Sequence, residues 1–333
     1  MIKIHYRINI SQHKNCSQFD LASYQKMEAV DPFKHRLQLT RWDWFRTYIL
    51  TVVLVPIRVL LFSIFLLLMY LVSITALISI DQKIIMKKPF TSTGIKIARK
   101  IVVFLARVAF GICGFSITVK GEVAPFKKAP IIVGAPHCSF IDNIAVFCYC
   151  NASSTILAEE VFMNLPIVGK IFQLFQPIYV SRKDPNSKEN VRNEILRRVD
   201  SVNEGWSQIS LSPEGMCSNR KALLPFKLGA FYPGKPILPF CARYHNRLDT
   251  VTWTWDQPHG AKTILWLTLA QPVTRIELDF LPVYYPTTRE KEDPILYASN
   301  MRKLMAAHLN IGTYDITLDE LKKKYGKNIK KNN

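Results

Sequence analysis

Hydrophobic and polar positions divide the chain into three textures. Residues 1–40 are mixed and polar. Residues 41–80, RWDWFRTYILTVVLVPIRVLLFSIFLLLMYLVSITALISI, are almost wholly apolar, and 60–80 form 21 residues without a charge. A helix of that length spans a bilayer core. Pro56 and Arg58 interrupt the apolar run just before it, so two arrangements fit: one spanning helix at about 59–80, or a bent pair that enters and returns with its kink at Pro56. Trp42, Trp44 and Tyr48 then fall at the headgroup level. Arg41 and Arg46 precede the run and Lys83, Lys87 and Lys88 follow it, so flanking charge does not set its orientation. A second apolar stretch, 101–119, contains Arg107 and two glycines behind the basic Lys96, Arg99 and Lys100. It reads as an interfacial helix.

From about residue 120 short apolar runs alternate with helical segments. PIIVGAP (130–136), TILAEE (155–160), QPIYVSR (176–182), SQISLSPEG and PILPFCARY read as strands. IDNIAVFCYC (141–150) reads as a helix, and VFMNLPIVGKIFQLF as a helical stretch broken by Pro166 and Gly169. SKENVRNEILRRVDSVNEG is amphipathic, with Val191, Ile195, Leu196 and Val199 on one face. PILYASNMRKLMAAHLN reads as a late helix, and TLDELKKKY opens with a capping box from Thr317 to Glu320. The alternation predicts an α/β sheet with helices on its faces. The expected divisions are a polar lead-in (1–40), membrane-anchoring helices (41–119), a catalytic domain (120–315), and a short helix with a basic tail (316–333).

Composition narrows the partners. The chain is 49% hydrophobic and 21% charged, with a formal net charge of +19. That excess favours anionic partners, and the apolar run selects a membrane over nucleic acid, for which only net charge speaks. Seven cysteines form no CxxC pair, so a disulfide framework or zinc ribbon is not expected. The N-terminus MIKIHYRINISQHKN lacks the apolar core of a cleavable signal.

Candidate chemistry gathers at three places. His137 follows a buried strand, and Asp142 lies five residues on, in the first turn of a helix. Open α/β sheets place ligands at such junctions. A carboxylate beside an imidazole fixes its tautomer and raises its basicity, so the pair can take a proton from a hydroxyl. Spacing alone fits a histidine capping a turn equally well. SPEGMCSNR (212–220) supplies Glu214, Gly215, Met216, Cys217, Asn219 and Arg220 after a strand. Glycine permits a tight turn. Arg220 can bind phosphate through paired hydrogen bonds, and Glu214 can position that arginine or accept from a hydroxyl. A polar loop with a surface ion pair also fits. Arg182, with Lys183 beside it, is a second phosphate candidate or an ordinary strand-end charge. A zinc site from His137, Cys138, Cys148 and Cys150 is disfavoured, because a helix from 141 projects them in different directions.

HCSFID, PIYVSR, PEGMCSNR and PILPFCARY, in this order, resemble the four blocks of the glycerolipid (HxxxxD, PlsC-type) acyltransferase family. VSRKDPNS, FKLGAF, RYHNRLDTVTWTW, ILWLTLAQPV, DPFKHRLQL, FLPVYYP and LYASNMRKLM look like its lysophosphatidylcholine acyltransferase branch. The resemblance extends over roughly residues 31–320. It implies a mixed α/β sheet flanked by helices, with His137 as general base and Asp142 orienting it. It further implies that Glu214, Gly215, Met216, Cys217, Asn219 and Arg220 bind the acceptor, and that Arg182 and Pro239 shape the substrate sites. The implied reaction takes a fatty acyl group from acyl-CoA, as co-substrate, to the sn-2 hydroxyl of a lysophospholipid, foremost lysophosphatidylcholine. No bound cofactor or metal is implied. Lysophosphatidic acid or another lysophospholipid as acceptor, and a non-catalytic lipid-binding scaffold, are the alternatives; keeping both His137 and Asp142 argues against the scaffold. A Cys-dependent hydrolase built on His137 with Cys138 or Cys217 has no resemblance behind it. The chain departs from the branch in HCSFID, where Ser usually follows the His and Tyr-Phe precedes the Asp, and in EGMCSNR, where EGTCTNR is usual. No EF-hand loop pattern is present, so activity is expected without calcium regulation of that kind. The ending KKNN resembles a dilysine retrieval signal, giving the endoplasmic reticulum membrane with a cytosolic tail as the expected location, with Golgi or lipid droplets as further compartments.

Overall fold

The structure is a computed structural model that describes residues 31–321, 323 and 324, except 82–84, 151–153, 182, 202, 203 and 317–319. Arg182, Thr317 and the KKNN tail therefore lie outside the described residues.

Thr40 and Asp43 form a capping box that starts helix α1 (Arg41–Leu77), with Asp43 N–H donating to Thr40 Oγ1 at 3.1 Å and Thr40 N–H to Asp43 Oδ2 at 2.9 Å. The helix runs unbroken through Pro56. It begins eighteen residues before the start expected of a single span and does not break into a pair. Its buried positions are Asp43, Thr47, Arg58, Met69, Ser73 and Leu77. Thr47, Arg58 and Met69 are eleven residues apart, three helical turns, so they share one face. That inward face is largely polar, while Trp42, Val52, Leu60, Leu67 and Leu71 point outward. This inversion of the usual amphipathic order suits a helix whose outer face meets lipid.

Helix α2 (Thr93–Ile112) is capped by Ser92 and ends at Cys113, where Gly114 takes φ +91°. A left-handed glycine just past a helix end stops it. The chain then forms strand β1 (Phe115–Lys120), so the stretch read as one interfacial helix at 101–119 is a helix end, a glycine turn and a strand.

The remaining elements are β2 (Ile131–Ala135), α3 (Phe140–Tyr149), β3 (Ser154–Glu159), α4 (Val168–Leu174), β4 (Ile178–Val180), α5 (Ser187–Asp200), β5 (Gln208–Leu211), β6 (Ala222–Leu223), β7 (Ile237–Tyr244), α6 (Ala261–Leu269), β8 (Thr274–Phe280), α7 (Thr288–Glu292), α8 (Pro294–Leu309) and β9 (Gly312–Thr313). Among the described residues seven strands form one sheet in the order β1-β8-β7-β2-β5-β3-β4. Neighbours are parallel except β7 and β8, so the sheet is mixed. All five residues of β2 are buried, as a central parallel strand requires. Its alternation feeds two cores. Ile131, Val133 and Ala135 join Ile195 and Val199 of α5 and Met301 and Met305 of α8. Ile132 joins Ile141 and Ala145 of α3 and Phe240 of β7. A third core packs α1 and α2 on α4, through Met69, Leu77, Val102, Ile171 and Leu174.

Candidate active site

Strands β2, β5, β3, β4 and β7 run the same way, so the segments following their C-terminal ends share one edge of the sheet. His137 lies two residues beyond β2 and the 212–220 segment directly beyond β5. Ser139 caps α3, its hydroxyl accepting from Ile141 N–H at 3.1 Å, and this helix start turns Asp142 back toward His137.

Asp142 is nearly fully buried and surrounded by donors. Oδ2 receives His137 Nδ1 at 3.0 Å, Cys138 N–H at 2.7 Å and Ser139 N–H at 3.0 Å. Oδ1 accepts from the Tyr244 hydroxyl. Burial alone would raise the Asp142 pKa, but the His137 bond and charge, with the other donors, hold it below the usual carboxylate value. A carboxylate accepting at Nδ1 places the ring hydrogen there and leaves the other nitrogen free to take a proton. Burial pulls the His137 pKa down, while the hydrogen bonds that Asp142 and the Cys217 sulfur accept from the protonated ring, with the Asp142 charge, outweigh it. The imidazole therefore titrates well above 6.5. Tyr244 is pushed well above 10 by burial and then by the Asp142 charge, so it stays a donor.

Glu214 faces inward. Its Oε2 accepts His137 N–H at 2.6 Å and Oε1 accepts Leu224 N–H at 2.8 Å, and burial pushes its pKa up to about 7. Ser218 N–H returns a bond to the His137 carbonyl at 2.8 Å. The 212–220 segment thus grips the backbone of His137 from both sides. Gly215 sits at φ +63°, and a Cβ there would meet the Lys227 ammonium at 2.3 Å. Met216 packs against Phe33, Leu224 and Leu321. Asn219 donates through Nδ2 to the carbonyls of Asp31 at 2.8 Å and Lys34 at 2.9 Å, pinning the segment around buried Phe33. Arg220, at φ +64°, pairs with Asp249 at 2.6 Å, donates to the Cys138 sulfur at 3.1 Å and lies 4.6 Å over the Tyr244 ring.

The structure therefore brings His137, Asp142, Cys217, Glu214 and Arg220 into one cluster, with the Glu214 carboxylate on backbone amides rather than on Arg220. Pro239 lies apart from it, buried within β7 opposite Val133. Tyr244 and Asp249 belong to the cluster and were not singled out from the sequence. The available signal was position: Tyr244 ends the strand PILPFCARY, which leaves the same sheet edge as His137. Among the described residues no group of three or more His, Cys, Asp or Glu is arranged to hold a metal.

Residues 116–243 match the Acyltransferase domain family. The chain is 42% identical over 295 residues to lysophosphatidylcholine acyltransferase 2B of Mus musculus, covering 88% of this chain and 56% of that protein. It is 38% identical to lysophosphatidylcholine acyltransferase 2 of Homo sapiens, covering 90% of this chain and 54% of the relative. The chain thus spans about half the length of these relatives. Among solved structures, the 1-acyl-sn-glycerophosphate (LPA) acyltransferase PlsC from Thermotoga maritima is 15% identical with a TM-score of 0.49, covering 80% of this chain and 97% of that one. The domain match takes in both members of the His137–Asp142 pair and the segments that grip it, so residues 116–243 form a PlsC-type acyltransferase domain, in a chain that is similar over most of its length to lysophosphatidylcholine acyltransferases.

Proposed function

We propose that the protein transfers a fatty acyl group from acyl-CoA to the free sn-2 hydroxyl of a lysophospholipid, with lysophosphatidylcholine as the first acceptor to test. The observation that carries this reading is the His137–Asp142 pair, oriented through Nδ1 at the open edge of the sheet. The names of the relatives supply the acceptor class.

In the proposed step, neutral His137 removes the hydroxyl proton while the oxygen attacks the thioester carbonyl. The tetrahedral intermediate collapses, the C–S bond breaks, and the imidazolium returns its proton to the departing CoA sulfur. Asp142 stays ionised and steadies the imidazolium. Nothing in this sequence needs a cofactor; positioning of two bound substrates supplies most of the acceleration. Glu214 and Asn219 have their polar side-chain atoms on backbone groups, so we assign them the holding of the His137 loop and of residues 31–34. Gly215, Met216, Cys217 and Arg220, on the same loop, remain the proposed acceptor contacts, with Arg182 the second proposed phosphate ligand and Pro239 a sheet residue beneath the site.

The test offers purified protein a panel of lysophospholipids with several acyl-CoAs and follows CoA release. Acceptor-dependent release that disappears in His137→Ala is expected. No turnover on any acceptor, or full turnover by His137→Ala, overturns the proposal.

A further inference from the structure

Eight consecutive residues, 160–167, are solvent-exposed, and their sequence is EVFMNLPI. Val161, Phe162, Met163, Leu165 and Ile167 are each 37–59% exposed. An exposed cluster of this kind in one short segment marks a contact surface. The segment is built rather than loose. Glu160–Asn164 form a 3-10 turn, Leu165 N–H bonds to the Phe162 carbonyl at 3.4 Å, and Gly169 N–H bonds to the Leu165 carbonyl at 2.8 Å. A Cβ on Gly169 would lie 2.4 Å from the Met163 carbonyl oxygen, so the segment seats its backbone on that glycine while turning apolar side chains outward.

We infer that residues 161–167 form a second lipid-inserting surface, continuous with the outer face of α1, that sets the catalytic edge of the sheet against a bilayer. Three observations select lipid as the occupant. First, VFMNLPI carries no charge, and its turn already satisfies backbone groups internally, as an apolar medium demands. Second, the segment runs directly into α4, whose Ile171 and Leu174 share a core with Met69 and Leu77 of α1, and α2 exposes Ile97, Ile101 and Phe104 beside the same core. Third, the segment leaves β3 at the same sheet edge as His137, two strands away and so roughly 10 Å across. Phe140, exposed at the start of α3, lies on that edge too. A headgroup-level hydroxyl would then meet His137 without leaving the membrane surface.

The full chain reconstituted in phosphatidylcholine vesicles tests this with a spin label at Val161→Cys. A second label at Lys303→Cys, exposed on α8, serves as reference, and unsubstituted protein gives the background from native cysteines. At 161 the label is expected to collide more with oxygen than with a water-soluble nickel chelate, and at 303 the reverse. A water-like ratio at 161 overturns the inference, whether the segment then faces solvent or another protein. This arm uses no turnover, so it decides the inference even for a chain that acylates nothing. In a kinetic arm, Val161→Ser/Phe162→Ser/Leu165→Ser is expected to lower turnover of vesicle-borne acceptor about tenfold while staying within about twofold on a short-chain acceptor dissolved in water. No loss on vesicles, or equal loss on both acceptors, overturns it.

Discussion

Tyr244 and Asp142 separate two ways of tuning the same imidazole. As the proposed base His137 works only when neutral, and its pKa is raised, so acceptor turnover is expected to climb with pH through a midpoint above 6.5. In Asp142→Asn the charge that favours the imidazolium is gone. The acid limb of kcat/KM is expected to move to lower pH, with a loss of about 10²–10⁴-fold because the ring is no longer oriented. Tyr244→Phe removes one donor from Oδ1 and leaves the donors on Oδ2. The carboxylate becomes more basic, so the limb is expected to move the opposite way, with a loss of about tenfold, the worth of one hydrogen bond. Opposite shifts identify a positioning role; a common shift, or none in Tyr244→Phe, rejects it. Glu214→Gln puts an amide N–H where a backbone N–H must be accepted. It is expected to cost about 1–3 kcal/mol of stability and to lower kcat along with it, read by thermal shift and turnover. His137 and Asp142 were legible because a helix start after a buried strand returns the fifth residue to the first. Glu214 was legible as important but not in its role: burial decides whether a carboxylate serves substrate or backbone, and no local pattern encodes that burial. Arg220 was legible as a phosphate candidate or as half of an ion pair, but its partner Asp249 was not, because it comes from a loop twenty-nine residues on.

At the scale of elements, Arg58 explains why α1 runs past the point where its sequence predicts a break. Its guanidinium donates to the carbonyls of Leu269 at 2.6 Å, Gln271 at 2.5 Å and Pro272 at 2.8 Å. These are the end of α6 and the turn after it, where helix carbonyls lack partners. Nearby, Trp266 of α6 donates to Thr51 at 2.9 Å and stacks on Trp44, and Arg247 pairs with Asp43. An arginine in an apolar helix is therefore a tie to α6 and the turn that leads into β8, and the charge that suggested an interruption is an anchor. Arg58→Met is expected to leave those carbonyls unpaired and to cost about 3 kcal/mol, seen as an earlier thermal transition in detergent. An unchanged transition refutes the tie. The strands β2, β5 and β7 were legible as short apolar runs, because they are buried on both faces, and the helix α5 from the regular spacing of its buried face. β8 was not, although its burial alternates along TRIELDF, since charged residues occupy its outward positions and dilute the apolar signal. The boundary between α2 and β1 was missed because the flanks of Gly114 are equally apolar, and only the glycine marks the turn.

For the whole molecule, apolar and basic surfaces lie next to each other. Lys87 and Lys88, between α1 and α2, and Lys96 and Lys100, on α2, are all exposed. They flank the outward Ile97, Ile101 and Phe104. Lysine ammonium groups beside an apolar face sit at headgroup depth, with their stems along the acyl boundary. There they attract anionic lipid with a strength that decays over a Debye length. The net charge of +19 thus has a local use where it borders the membrane face. Protein extracted gently from mixed phosphatidylcholine and phosphatidylserine membranes is expected to retain phosphatidylserine above its bulk fraction, measured by mass spectrometry of the bound lipid. Changing the four lysines to glutamine should bring the ratio back to that of the bulk membrane, and so should washing at about 1 M salt, where the Debye length is about 3 Å. The outer apolar face of α1 is untouched by these changes, so total bound lipid should stay nearly constant while its composition shifts. Enrichment that survives both treatments would place the anionic contact elsewhere, whereas a fall in total lipid would mean that the lysines hold the helices themselves in place.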